Sequence, residues 1–319
     1  MDFYRFPAQL VHRKSQHSLL PTLRSEGTWV LVDVVSATIA KSLVVVLDHV
    51  RCADQWRMMM VGVDGSMAGS RKERPVAIVT ASGSGIGAAC TRALAAGGFR
   101  VSLMSPSDSN LRLASELDGI GRLGSVVDSG DLDALVTSTL STYGRIDAVV
   151  NNMGHGSTAF PAMETLGYDP NFDASPLDLP DSVWRESFEM YVLSVINMAR
   201  KVTPIMVAQK GGAIVNISSP NALEPRQHYP MSVLRSALHG FTKLFADRYA
   251  RDNVRMNNLL PGFCENVNFA GRSLQDIPMA RPARFDEIAS ACVFLATDAS
   301  SYMTGQSLLV DGGANRAVR

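Results

Sequence analysis

Apolar residues from position 75 onward fall into short runs separated by amphipathic stretches. Val76–Val79 is an unbroken apolar run of strand length, the pattern of a strand covered on both faces. A turn rich in Gly and Ser follows, and then Ala88–Ala96, made of good helix formers. Further strands are expected at Arg100–Met104, Leu123–Val127, Asp147–Val150, Ala213–Ile217, Val254–Leu259 and Ser307–Val310. Helices are expected between them at Leu111–Leu117, Leu132–Tyr143, Ser182–Gln209, Ser232–Arg251 and Asp286–Leu295, with Pro204 kinking or shortening the end of the longest. This alternation predicts an α/β fold, a doubly wound, mostly parallel sheet with helices on both faces. Ligands of such sheets bind beyond the C-terminal ends of the strands, and the Gly turn, Asp128, Asn151, Ser219 and Gly262 are expected there.

Residues 1–73 do not share this pattern and are expected to be a weakly ordered N-terminal appendage to a single domain spanning 74–319. Arg5, His12, Arg13, Lys14 and His17 make their start mildly basic. Trp29–Leu47 is apolar and near the length of a membrane span. Asp33 and Lys41 interrupt it, at roughly 2.5 to 3.5 kcal/mol each at a bilayer centre, so a membrane or targeting segment is the weaker reading. Met67, followed by A-G-S-R-K-E-R-P, reads as an alternative start, and residues before it are expected to be dispensable.

Composition narrows the field. The 319 residues are 46% hydrophobic and 19% charged, with a formal net charge of +0. No basic excess points to nucleic acid. Cys52, Cys90, Cys264 and Cys292 form no C-x-x-C, so neither a zinc site nor a disulfide framework is predicted and a reducing, cytosolic setting is the default. Asp169, Asp173, Asp178 and Asp181 lie in a Pro-rich, aperiodic stretch, which reads as a solvated loop rather than a metal site.

The stretch P-V-A-I-V-T-A-S-G-S-G-I-G, Pro75–Gly87, places a strand, a Gly-rich turn and a helix start in succession. The unpaired N–H groups of a helix N-terminus suit a phosphate, and Gly lets it approach the backbone.

With the motifs downstream, this stretch resembles the short-chain dehydrogenase/reductase family from about Arg74 to the C-terminus. Thr80–Gly87 is similar to the family's T-G-x-x-x-G-x-G, with Ala81 where the family has its first Gly. Asp128 stands for the Asp that commonly touches adenine, and Asn151–Gly154 resembles N-N-A-G. Ile217-Ser218-Ser219 resembles the strand end that bears the catalytic serine, and Pro261-Gly262 the P-G after the sixth strand. Thr304-Gly305-Gln306 and Val310–Gly313 resemble the C-terminal signature. The resemblance implies a Rossmann-type domain, an NAD(P) cofactor and hydride transfer to or from a carbonyl, alcohol or activated double bond. It implies a cofactor set of Thr80, Ser82, Ser84, Gly85, Ile86, Gly87, Ser105, Asp128, Asn152, Gly154, Arg235, Pro261 and Gly262. It also implies a homodimer or homotetramer packed through the two long helices.

The family's catalytic tetrad is Asn, Ser, Tyr and Lys. The run Ser236–Lys243 fixes the register, so Met231 falls at the Tyr position and Arg235 at the Lys position. Tyr191 falls at the Asn position, and only Ser219 (less plausibly Ser218) keeps the family residue. Met has no proton to give, whereas Arg keeps the i, i+4 spacing and can still grip a ribose or phosphate. Tyr229 is the first candidate proton donor, then His228 or Tyr191. A nucleotide-binding sensor or partner subunit without turnover is the competing reading. Ser105 stands where NAD-preferring members carry Asp, which favours NADP over NAD, with Ser107 and Arg112 as further phosphate ligands. Met153, Phe160, Pro220, Tyr229, Met231 and Phe263 are expected to wall an apolar pocket under the loop at 155–180. His155 is a weaker candidate for acid chemistry and His239 reads as structural.

Overall fold

The computed structural model describes residues 74–153, 175–226, 229–266 and 274–318. The appendage at 1–73, Gly154, His155, Phe160, Asp169, Asp173 and His228 lie outside the described residues. Seven strands form one sheet in the order β3-β2-β1-β4-β5-β6-β7, and every pairing is parallel. They are β1 (Val76–Thr80), β2 (Arg100–Ser105), β3 (Ile120–Leu123), β4 (Ala148–Asn152), β5 (Gly212–Ile217), β6 (Val254–Pro261) and β7 (Ser307–Val310). The helices are α1 (Gly85–Ala96), α2 (Ser109–Glu116), α3 (Ser129–Tyr143), α4 (Asp181–Phe188), α5 (Ser194–Ala208), α6 (Ser232–Tyr249) and α7 (Phe285–Ala296). Strand order reverses between β1 and β4, which opens a crevice beyond their C-terminal ends.

Central strands β1 and β4 are buried along their whole length, as their continuous apolar runs require. Successive side chains feed opposite layers. Ala77 and Val79 join α1 and α7 in one core, while Ile78 joins α3, α5 and α6 in the other. Each fully buried Val, Leu or Ile contributes roughly 1.5–3 kcal/mol.

Strand β6 is also wholly buried, although it reads V-R-M-N-N-L-L-P. Its polar side chains are satisfied internally, as burial demands. Arg255, 6% exposed, donates to Ser300 Oγ at 2.9 Å and to the carbonyls of Leu295 (3.2 Å), Thr297 (2.9 Å) and Met303 (3.2 Å). It thereby closes the C-terminal end of α7, where carbonyls lack helical partners. Asn151, Asn216, Asn258 and Ser307 stand opposite one another on β4, β5, β6 and β7. Their side chains form a hydrogen-bonded ladder across the sheet, joined from α6 by Thr242.

Most element ends shift by one to three residues from the sequence expectation, and two elements differ by more. The third strand lies at Ile120–Leu123 rather than Leu123–Val127. Gly121 lets α2 approach to 3.0 Å of where a Cβ would stand, so a larger residue there would not fit against the helix. Asp128 is consequently not a strand end but the N-cap of α3, its Oδ1 accepting from the N–H groups of Gly130 (2.7 Å) and Asp131 (3.0 Å). The helix expected at Ser182–Gln209 is two helices joined by a π-helical turn at Glu189–Leu193. Pro204 does not end it: α5 continues to Ala208, with Pro204 toward solvent and buried Val202 and Met206 anchoring either side.

Candidate active site

The turn after β1 is held from below. Thr80 Oγ1 accepts from the Asn152 N–H at 3.1 Å and donates toward the carbonyls of Val150 and Asn152. Asn152 Nδ2 donates to the Ala81 carbonyl at 3.0 Å. Thr80 and Asn152 therefore join the ends of β1 and β4 and brace the turn. Helix α1 starts with no side-chain cap on Ser84 and no acidic residue in its first turn. Its first N–H groups, including those of Gly85, Ile86 and Gly87, are left for an anion. Gly85 has φ +53°, and a Cβ there would lie 3.7 Å from the Phe285 ring. Ser82 Oγ is buried without a partner, a polar group ready for a ligand. These features fit the pyrophosphate of a dinucleotide.

Ala81 has φ +46°, a left-handed conformation that costs a residue with a Cβ about 1–2 kcal/mol. Ala81→Gly is expected to stabilise the domain by about 1 kcal/mol in urea unfolding, with the m-value unchanged.

Ser105 ends β2 beside the turn. Its Oγ lies 3.3 Å from Ser107 Oγ, which lies 2.7 Å from Ser109 Oγ. A Cβ on Gly83 would stand 2.2 Å from Ser109 Oγ, so this hydroxyl chain lies directly against the Gly turn. Ser109 was not among the sequence candidates. Arg112 is one turn away in an exposed pair with Asp108, at 3.4 Å, rather than on the serines.

At the end of β5, Ser219 opens a short 3-10 turn and its Oγ accepts from the Asn221 N–H at 3.2 Å. Its own O–H is left to donate. Ser218 points elsewhere: its Oγ lies 2.8 Å from His239 Nε2, and His239 Nδ1 lies 3.3 Å from Ser307 Oγ. His239 thus ties β5 to β7, in keeping with a structural role. Ser236 Oγ on α6 donates to the Ala222 carbonyl at 2.7 Å, and Asn315 Nδ2 donates to the Pro220 carbonyl at 3.2 Å. The serine-bearing turn is held from both sides.

Met231 precedes α6 and is 0% exposed. It packs with Met153, Tyr191, Val192, Val195, Leu238 and Tyr229. Arg235, one turn on, is 3% exposed and donates through Nη1 to the Ile217 carbonyl at 2.9 Å. Its guanidinium lies over the Tyr191 ring, 4.1 Å from the centroid. Burial pushes the Tyr191 phenol up to about 12, against the opposing charge of Arg235. Tyr191 is therefore a poor acid at neutral pH. Tyr229, half-buried, shares a side-chain hydrogen bond with Tyr191. Met153, Tyr229 and Met231 pack together in one buried cluster rather than walling an open cavity, and Phe263 is exposed. Pro261 is buried within β6, and Gly262 is pressed on Asp311, whose Cα would lie 2.6 Å from a Cβ. Both shape the sheet end through packing.

Among the described residues no group of His, Cys, Asp or Glu is placed to hold a metal ion. No described helix is long and apolar enough to cross a membrane.

Comparison with known proteins agrees with this geometry. Residues 80–315 match the family described as enoyl-(acyl carrier protein) reductase. A 3-oxoacyl-(acyl-carrier-protein) reductase of Thermotoga maritima is 32% identical over 259 residues, covering 76% of this chain and 98% of that protein. The bovine (Bos taurus) dehydrogenase/reductase SDR family member 4 is 30% identical over 281 residues, covering 82% and 95%. The solved structure of an acetoin dehydrogenase from Salmonella typhimurium superimposes with a TM-score of 0.64 at 30% identity, covering 75% of this chain and 97% of that one. Fold, motifs and relatives together show that the chain belongs to the short-chain dehydrogenase/reductase family.

Proposed function

We propose that this chain is an NAD(P)-dependent oxidoreductase acting on a small, apolar carbonyl, alcohol or activated double bond. The observation that carries the reading is the uncapped start of α1 behind the Gly turn, at the point where strand order reverses. The nicotinamide ring, when bound, would give or accept the hydride. Ser82 and the N–H groups of Gly85, Ile86 and Gly87 would hold the pyrophosphate, and Arg235 the ribose near the reacting end. Ser219, with its O–H free to donate, would polarise the substrate oxygen. Tyr229 is our candidate proton donor, because it lies against the same cluster as Met231, which has no proton to give.

NADP is favoured over NAD. The hydroxyl chain of Ser105, Ser107 and Ser109 offers donors to a 2′-phosphate, and Ser105 stands where NAD-preferring members carry Asp. Ser105→Asp is expected to weaken NADPH binding at least ~10-fold while leaving NADH within about threefold, by fluorescence titration.

Helix α6 supports self-association. Val233 and Leu244 are 58% and 69% exposed, with Ala237 and Gly240 between them at helical spacing. A homodimer or homotetramer packed through α5 and α6 would cover this stripe. We place the protein in the cytosol, in line with free thiols at Cys90, Cys264 and Cys292.

The test is titration with NADPH and NADH, then a panel of carbonyls and enones with wild type and Tyr229→Phe. Turnover is expected, and it should fall by about 10²-fold or more in the variant with nucleotide affinity unchanged. Nucleotide binding without turnover on any substrate would favour a sensor or partner subunit, the reading to which the buried Met231 lends weight.

A further inference from the structure

Two departures from the family pattern, Tyr191 for Asn and Arg235 for Lys, meet in space. The buried Tyr191 ring carries the Arg235 guanidinium on its face and shares its hydroxyl with Tyr229. Tyr191 sits in the π-helical turn Glu189–Leu193. Such a turn holds one residue more than an α turn, and recurs at functional sites. Arg235 donates through Nη1 to the Ile217 carbonyl and hydrogen-bonds the Tyr191 side chain, while its buried Nε has no partner. That Nε is an unpaired buried donor, which is costly unless a ligand meets it.

The chemistry of the two cations explains why the changes belong together. A Lys ammonium is a compact, strongly hydrated charge, and it needs acceptors such as an amide or water. A guanidinium is planar and weakly hydrated, and it stacks on an aromatic face. Asn offers no such face, and a Tyr ring, though it attracts an ammonium, does not replace the hydrogen bonds that its three N–H donors lose with their water.

We propose that Tyr191 is the positioning residue of this site and that Tyr191 and Arg235 are one coupled replacement. The ring fixes the guanidinium at the end of β5 with Nε left for the cofactor, and the hydroxyl fixes Tyr229. This rests on the reading of Arg235 as a cofactor contact.

The experiment is a double-mutant cycle of Tyr191→Asn and Arg235→Lys, with Tyr191→Phe beside it. Thermal unfolding is followed without nucleotide, and NADPH affinity by fluorescence. Each single change in the cycle is expected to lower Tm by about 3 °C or more and to weaken NADPH ~10-fold. The double variant, which restores the family pair, is expected to melt above either single variant and to bind NADPH within about threefold of wild type. Tyr191→Phe keeps the stacked ring but frees Tyr229, so it should bind NADPH within about twofold while turnover falls ~10-fold, and unchanged turnover would overturn the role given to the hydroxyl. A residue that merely fills space would give additive losses and no rescue. Additive losses by both readouts, or single variants equal to wild type, would overturn the proposal. If the wild type binds neither NADPH nor NADH, the functional reading fails, while the melting cycle still decides whether the two residues are coupled.

Discussion

Gly87→Ala is expected to abolish measurable nucleotide binding, weakening NADPH by more than ~100-fold while the domain stays folded. A Cβ at this position would stand 2.3 Å from the Ala81 carbonyl oxygen and 2.5 Å from Asn152 Nδ2. Neither atom can yield alone, because Asn152 Nδ2 donates to that same carbonyl. The methyl group must therefore push the turn away from α1, and it displaces the N–H groups that would hold a pyrophosphate. Overpacking of this kind costs about 1–3 kcal/mol of stability, which a domain of this size tolerates. Fluorescence titration with NADPH and a melting curve on the same sample check both halves.

Arg255→Met is expected to destabilise the domain by about 3–5 kcal/mol without touching the crevice. Met keeps most of the stem but removes the Arg255 hydrogen bonds to Ser300 and to the carbonyls of Leu295, Thr297 and Met303. Those carbonyls would lose this charged donor and keep Ser300, for Leu295 and Thr297, and Asn257, for Met303. Burial already pushes the guanidinium below its ordinary pKa, with nearby Asp298 opposing, so the native state retains this charge at a cost that its hydrogen bonds offset. Urea unfolding should show a lower midpoint at constant m-value, and NADPH affinity of the folded fraction should match wild type.

Much of the fold was legible in the chain because buried parallel strands leave unbroken apolar runs. Val76–Val79 read correctly for that reason, and Ala213–Ile217 did so with Asn216 as its one polar residue. The third strand did not: α2 fits closely against Gly121, a tertiary contact that no local pattern records. Asp128 shows the same limit: an acidic residue before a helix serves as an N-cap as readily as a ligand contact. The π-helical turn was hidden inside a continuous helical periodicity. The asparagine ladder did leave a signal, since Asn is depleted in strands and five stand in buried ones here, at 151, 152, 216, 257 and 258, three of them (151, 216 and 258) in the ladder.

The site was legible as a set of positions more than as a set of contacts. Spacing makes Tyr191, Met231 and Arg235 candidates for tetrad positions, and the structure packs Met231 with Tyr191 and lays Arg235 on the Tyr191 ring. Spacing could not reveal that Arg235 lies on the Tyr191 ring, nor that Ser109 completes the hydroxyl chain from Ser105. Those contacts join distant segments and depend on side-chain direction.

The central claim is that the turn at Ala81–Gly87 holds a nicotinamide dinucleotide. Equilibrium titration of the wild-type protein with NADPH and NADH, followed by nucleotide fluorescence, tests it most directly. Saturable binding of NADPH is expected, tighter than that of NADH and lost in Gly87→Ala. Absence of saturable binding for both nucleotides in a folded sample would contradict it.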